Sequence, residues 1–427
     1  MQRYTDGSRT DHPELALAER RRFLEHMGQV GVLAAIGAPL WVPHAHAQAP
    51  ESQAAPAKEP PLPGPVVSNE AVMAEKDPVV KVLTERPLTA SAMAEHMDDA
   101  VTPTSRLFIR NNLLTPDLDA SVHRLRVTGL VDRPLDLSLD ELKNRFPSVT
   151  IQGMMECAGA GRTAFQPTPR GTPWPATGGM SCSRWTGVRL KDVLAAAGVK
   201  SNAVHVAFFG ADFGSVATAP PVVRSIPLSK AGEPNTLIAW AVNDAPLPKV
   251  HGFPLRALVP GWVGSASIKW LVGIEVLDAP FKGSYMDASY RMPAYPVAPG
   301  ERMPKETVST EAWVVKSIIT TPASGAGFNV GQPVGVAGHA WAGENAIDRV
   351  EISLDEGVTW QRAKLARPKD KYAWWRFTFE FKPRQPGYVT VLARATDSNG
   401  NTQPIQSVWN PLGYFWNGIH RIGINVA

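Results

Sequence analysis

A chain of 427 residues, 44% hydrophobic and 19% charged, is long enough for two or three domains with buried cores and is not a small disulfide-stapled scaffold. Its formal charge of +4 is spread along the chain without a basic tract, which argues against a nucleic-acid partner. The 39 prolines and 35 glycines point to strands, turns and loops rather than long helices.

In chain order, residues 1–47 read as an export signal. Arg20 to Arg22 precede Phe23-Leu24, an apolar run follows from Val30 to Val42, and Ala45-His46-Ala47 forms a small-residue cleavage pattern before Gln48. The run falls short of the roughly twenty apolar residues that span a bilayer, so no membrane span is expected in the mature chain. The arginines followed by Phe and Leu resemble the twin-arginine signal, the bacterial address of proteins exported already folded. Such export suits a protein that takes up its cofactor before it leaves the cytoplasm. Residues 48–85, rich in Pro, Ala and charge, read as an extended arm or linker.

A first domain is expected over 86–303. The stretch "HRLRVTGLV" predicts a strand, and "LSLDELKNRFP" predicts a short helix with a Ser138/Glu141 capping box, closed by Pro147. A second helix is predicted in "VRLKDVLAAAGV", with Leu190, Val193, Leu194 and Ala197 on one face and Gly198 as the stop. With the strand-like "AVHVAFFG", this mixture implies an α+β domain. Over 304–427 the pattern changes to period two: Trp375, Phe377, Phe379 and Phe381 alternate with Arg376, Thr378, Glu380 and Lys382. Together with "VEISLDEGVTW" and "VTVLARATDSNGN", this predicts an immunoglobulin-like β-sandwich.

Cys157 and Cys182 are the two cysteines of the chain. A disulfide between them would close a loop of about 25 residues and contribute on the order of 3 kcal/mol. An exported, cofactor-free binding protein with that bridge is therefore one reading. A cysteine nucleophile activated by the nearby Arg162 is a second. Their spacing fails that of a zinc site, no C-x-x-C-H motif attaches a haem, and an iron–sulfur cluster needs about four thiolates. The third reading is a single thiolate on a prebuilt metal cofactor that brings most of its own ligands.

The segment "CAGAGR", Cys157 to Arg162, resembles the molybdenum loop of the sulfite oxidase family, a Cys-Ala-Gly-x-x-Arg pattern, with Ala160 where Asn is common. Further segments fall in that family's order: "LFIRNN", with Asn112 in place of His, "FFGAD", "HGFPLRALVPGWVGSASIKW", "ASYRMP" and "NGIHRIGINV". The resemblance covers roughly residues 86–427. It implies a molybdopterin domain followed by an immunoglobulin-like dimerisation domain, with Cys157 as the protein ligand of molybdenum. It also implies a pterin pocket made by Arg110, Asn111, Asn112, Asp212, His251, Arg256, Ser267, Ile268 and Lys269. Tyr290 is implied as the active-site tyrosine, and Arg110, Arg162 and Arg421 as a fork of guanidinium donors for an oxyanion.

The implied activity is periplasmic oxidation of sulfite to sulfate. With no haem expected in this chain, the electrons pass to a separate c-type cytochrome, and the implied assembly is a homodimer or a heterodimer with that cytochrome. The "CSRWTGV" segment around Cys182 also resembles the sulfane dehydrogenase subunit of thiosulfate oxidation, whose substrate is carrier-bound sulfur. The arginine in "CAGAGR" favours free sulfite.

Overall fold

A computed structural model describes residues 64–427 apart from residue 217. The expected export signal and residues 48–63 of the expected arm lie outside the described residues. The remainder of that arm is folded, which corrects the expectation for 64–85. A helix, Asn69–Ala74, is capped by Ser68 Oγ, which accepts from the Ala71 amide at 3.1 Å. The strand Lys81–Glu85 pairs with Leu88–Ser91, which in turn pairs with Ile109–Arg110. Val72 and Val80 are buried in a shared core, and Val67, Met73 and Val79 pack against it, so this part of the segment carries the apolar side chains that dock it.

Two five-stranded sheets build the domain that carries the site. One runs in the order Leu135–Ser138, Arg124–Gly129, Leu271–Leu277, His205–Gly210, Val223–Pro227, with a single parallel pair between Arg124–Gly129 and Leu271–Leu277. In the other, Ser148–Glu156, Met180–Arg189, Leu237–Val242 and Ala245–Pro246 follow one another, and Arg256–Leu258 also pairs with Leu237–Val242. The helix Leu139–Arg145 has its capping box: Ser138 Oγ accepts from the Glu141 amide at 3.1 Å and Glu141 Oε2 accepts from the Ser138 amide at 2.8 Å, a cap worth about 1 kcal/mol. The helix Leu190–Ala197 buries the four expected side chains and ends at Gly198, whose φ of +72° suits a residue without Cβ.

The C-terminal part is a β-sandwich of a four-stranded and a five-stranded sheet. Phe377 is fully buried while its neighbour Thr378 faces solvent, as period two requires. Phe377, Val336, Val350, Val391 and Ile424 fill the space between the sheets. The chain is thus α+β overall, with short helices and many strands.

Candidate molybdenum site

Cys157 follows the last residue of the strand Ser148–Glu156, which is paired along its whole length with Met180–Arg189. The loop that starts there turns tightly through Gly161, at φ +90°, where a Cβ would come within 2.6 Å of the Trp416 ring. A side chain at Gly161 is therefore excluded by close packing and by the positive φ.

All but three of the residues singled out in the sequence line one cleft. Arg110 ends its two-residue strand, His251 closes a 3-10 turn, and Arg256 opens the strand Arg256–Leu258. Ser267, Ile268 and Lys269 follow the turn Gly264–Ala266, while Asp212 follows the strand His205–Gly210. Asn112 and Tyr290 meet across the cleft, where the Tyr290 hydroxyl donates to Asn112 Oδ1 at 3.2 Å. Tyr290 also stacks on Tyr414, with centroids 5.6 Å apart and planes 12° apart. The cleft holds about 780 Å³ of atom-free space, part of it open to solvent.

Charge in the cleft is unbalanced. Arg110, Arg256 and Lys269 face a single carboxylate, Asp212. Burial pushes Asp212 up to about 6 against the pull of Lys269. Burial lowers Arg256 to about 9 and, with Arg256 adding to it, carries Lys269 well below the ordinary lysine range. For Arg110 burial opposes the charge, yet Tyr290 and Cys157, with Tyr414 and Tyr285, hold its pKa above the usual value. Buried cations short of counter-charge mark a hollow made for an anion.

The fixed partners set the cleft's geometry. Arg256 donates to the His251 carbonyl and the Ser267 carbonyl, both at 3.0 Å, and lies over Trp185 at 5.0 Å. Lys269 donates to the Val250 carbonyl at 2.9 Å and to Asn111 Oδ1. Asn111 is buried behind the cleft and donates to Thr115 Oγ1 at 2.8 Å, so it supports Lys269 without lining the cavity.

Two expected members of the arginine fork are elsewhere. Arg162 is buried but turned away: its Nε donates to the Leu412 carbonyl at 3.0 Å and its Nη1 to the Thr172 carbonyl at 2.7 Å. Arg421 lies on the strand His420–Val426 and pairs at 2.9 Å with Glu356, both side chains more than half exposed. Strand alternation sends it outward while Ile422 enters the sandwich core. Of the three guanidiniums, Arg110 lines the cleft.

Both cysteines are free thiols, so the Cys157–Cys182 bridge is not formed. Cys182 sits mid-strand opposite Met154, fully buried, and burial pushes its thiol up to about 12. It packs; Cys157 lines the cleft. Among the described residues no group of three or more His, Cys, Asp or Glu is placed to hold a metal ion. A metal at Cys157 therefore needs ligands that come with it.

Several cleft residues escaped the sequence reading. Ser181 and Trp185 point into the cleft from one face of the strand Met180–Arg189, a spacing that period two makes legible in retrospect. Met155 Sδ lies 3.4 Å from Arg256 Nη2. Ser265 lines the cleft, and its hydroxyl is buried with no partner. Lys76, from the segment expected to be an arm, reaches His251 Nε2 at 2.6 Å, and no local pattern announces it.

The oxidoreductase molybdopterin binding domain matches residues 112–285 and the Mo-co oxidoreductase dimerisation domain matches residues 308–427. Mitochondrial sulfite oxidase of Homo sapiens is 35% identical over 370 residues, covering 82% of this chain and 67% of that one. The chain belongs to the sulfite oxidase family. Sulfite oxidase of Gallus gallus is 33% identical, covering 81% of this chain and 78% of its own. Among solved structures, the sulfane dehydrogenase SoxCD of Paracoccus pantotrophus superposes with a TM-score of 0.68 at 26% identity, covering 88% of this chain and 96% of that one. The chain spans about two thirds of the length of the mammalian relatives.

As a sulfite oxidase family member the protein is a molybdenum oxidoreductase acting on sulfur compounds, and its cofactor is molybdenum with molybdopterin. The cleft fits that group. Cys157 offers one unpaired thiol, Arg110, Arg256 and Lys269 offer cations to its phosphate and polar edges, and the partnerless Ser265 hydroxyl awaits a hydrogen bond. No helix among the described residues is long and apolar enough to cross a membrane.

Proposed function

We propose that the protein oxidises sulfite to sulfate in the periplasm and passes two electrons to a separate c-type cytochrome. The observation that carries this reading is the lone free thiol of Cys157 at a buried, cation-rich cleft with a single carboxylate. The bound cofactor supplies the two-electron change and oxygen-atom transfer. Arg110 binds and orients the oxyanion through charge-assisted hydrogen bonds, each worth about 1.5–3 kcal/mol. The Tyr290 hydroxyl, aligned by Asn112, holds a proton at the cleft. Met155, Trp185 and Ile268 give the cleft apolar walls.

The export-type N-terminus supports the periplasmic assignment, and cell fractionation tests it. The dimerisation-domain match supports a dimer, either of two copies or with the cytochrome. A second reading, oxidation of carrier-bound sulfane sulfur, draws on the SoxCD superposition and its 96% coverage. Purified holoenzyme assayed with sulfite plus a c-type cytochrome, and separately with thiosulfate plus a sulfur-carrier protein, separates the two. Sulfite-dependent reduction is expected; turnover in the carrier assay alone would favour the second.

A further inference from the structure

Glu156, the residue immediately before Cys157, is turned into the β-sandwich. Its Oε1 lies 2.9 Å from Lys316 Nζ and its Oε2 accepts from Trp341 Nε1 at 2.8 Å. Lys316 begins one sandwich strand and Trp341 ends the next, and the two are direct register partners. The pair is deeply buried, with side-chain exposures of 1% for Lys316 and 8% for Glu156. The Lys316 ammonium also lies 5.1 Å from the Trp416 ring.

The same domain grips the rest of the loop. The Ala158 carbonyl accepts from the Phe415 amide at 2.9 Å, the Leu412 carbonyl accepts from Arg162, and Gly161 backs onto Trp416. Burying an ion pair rarely gains stability over an apolar contact, whereas its geometry is specific. This one fixes the backbone on which the Cys157 side chain is hung.

We propose that Glu156, Lys316 and Trp341 form a positioning device by which the sandwich domain sets where the Cys157 sulfur stands in the cleft. The sandwich then contributes to the metal site as well as to the association of chains. The inference rests on Cys157 as the protein ligand of the metal.

The test uses purified full-length holoenzyme carrying Lys316→Met, with Glu156→Gln, which keeps side-chain size, and Trp341→Phe, which removes the indole donor. Four quantities are read on folded protein: molybdenum per chain, the electron paramagnetic resonance of the reduced metal, the kcat and KM for sulfite, and the oligomeric state. The expected result is a shifted resonance and a kcat reduced about tenfold, equivalent to about 1.4 kcal/mol, with KM within about twofold and the oligomer intact. Unchanged resonance and kcat in the folded variants, or losses that appear only where the oligomer dissociates, would overturn it. Cys157→Ser is the control: if it leaves molybdenum and resonance intact, the ligand assignment itself fails. An enzyme inactive with sulfite still reports through metal content and resonance.

Discussion

The Lys76 ammonium lies 2.6 Å from His251 Nε2, and its remaining hydrogen bonds go to the Thr104 and Leu107 carbonyls at 3.1 and 3.2 Å. With its donors committed, Lys76 makes Nε2 an acceptor and leaves the proton on Nδ1. Burial, then the charges of Lys76, Lys269 and Arg256, carries His251 well below its ordinary value, so the ring is neutral at pH 7. Burial also holds Lys76 at about 8. Above that pH the ammonium becomes an amine and the tautomer is released. Wild-type kcat/KM is expected to fall between about pH 8 and 9, and Lys76→Met to lack that limb while retaining less molybdopterin per folded chain. A pH profile with cofactor quantitation checks both.

Cys157→Ser is expected to abolish metal retention. Cys182→Ser keeps the metal and loses about 1–3 kcal/mol of stability, because a hydroxyl replaces a fully buried thiol. Elemental analysis and denaturant unfolding distinguish the two. Since both thiols are free, adding a reductant leaves the thermal midpoint of the described fold unchanged.

Arg110→Ala is expected to raise the sulfite KM about ten- to a hundredfold, the loss of one charge-assisted hydrogen bond. Arg421→Ala leaves KM unchanged and alters stability by less than about 1 kcal/mol, because its ion pair with Glu356 is solvent-exposed. Steady-state kinetics on both variants checks the assignment of the anion-binding guanidinium.

Acid should loosen the sandwich. His420 Nδ1 accepts from the Ile319 amide at 2.9 Å, which requires an unprotonated nitrogen, and burial, with Lys316 nearby, brings the ring down to about 4. Burial brings His339, stacked on Trp374, to about 4 as well. Between the unfolded value near 6.5 and the folded value near 4 the unfolded chain binds more protons. Stability contributed by these rings is therefore present above about pH 6.5 and lost as pH falls towards 4, on the order of a few kcal/mol each. Thermal midpoints at pH 7 and 4.5 should show this, and a smaller drop in His420→Gln would trace it to that ring.

The cleft was legible in the sequence where its chemistry is packed into short segments: "HGFPLRALVPGWVGSASIKW" carries His251, Arg256, Ser267, Ile268 and Lys269 together, and all line the cavity. The helices were legible because their caps are local, as Ser138 with Glu141 shows. Arg162 was legible as a charge but not as a direction. It turns away because Gly159, Gly171 and Gly413 leave room for its side chain, and its acceptor is a carbonyl 250 positions later. Arg421 fails for a similar reason: its register on the neighbouring strand, not its residue type, decides which face it takes. Lys76 acts on a residue 175 positions away, and Pro- and Ala-rich surroundings hid the apolar anchors that bring it there.

The ladder of Lys81–Glu85, Leu88–Ser91 and Ile109–Arg110 lies ahead of residue 112, where the molybdopterin-domain match begins. A recombinant fragment trimmed to that border would discard Thr89, the register partner of Arg110, along with Arg110 itself and Lys76. A gene segment worth expressing as an enzyme therefore starts ahead of Lys76.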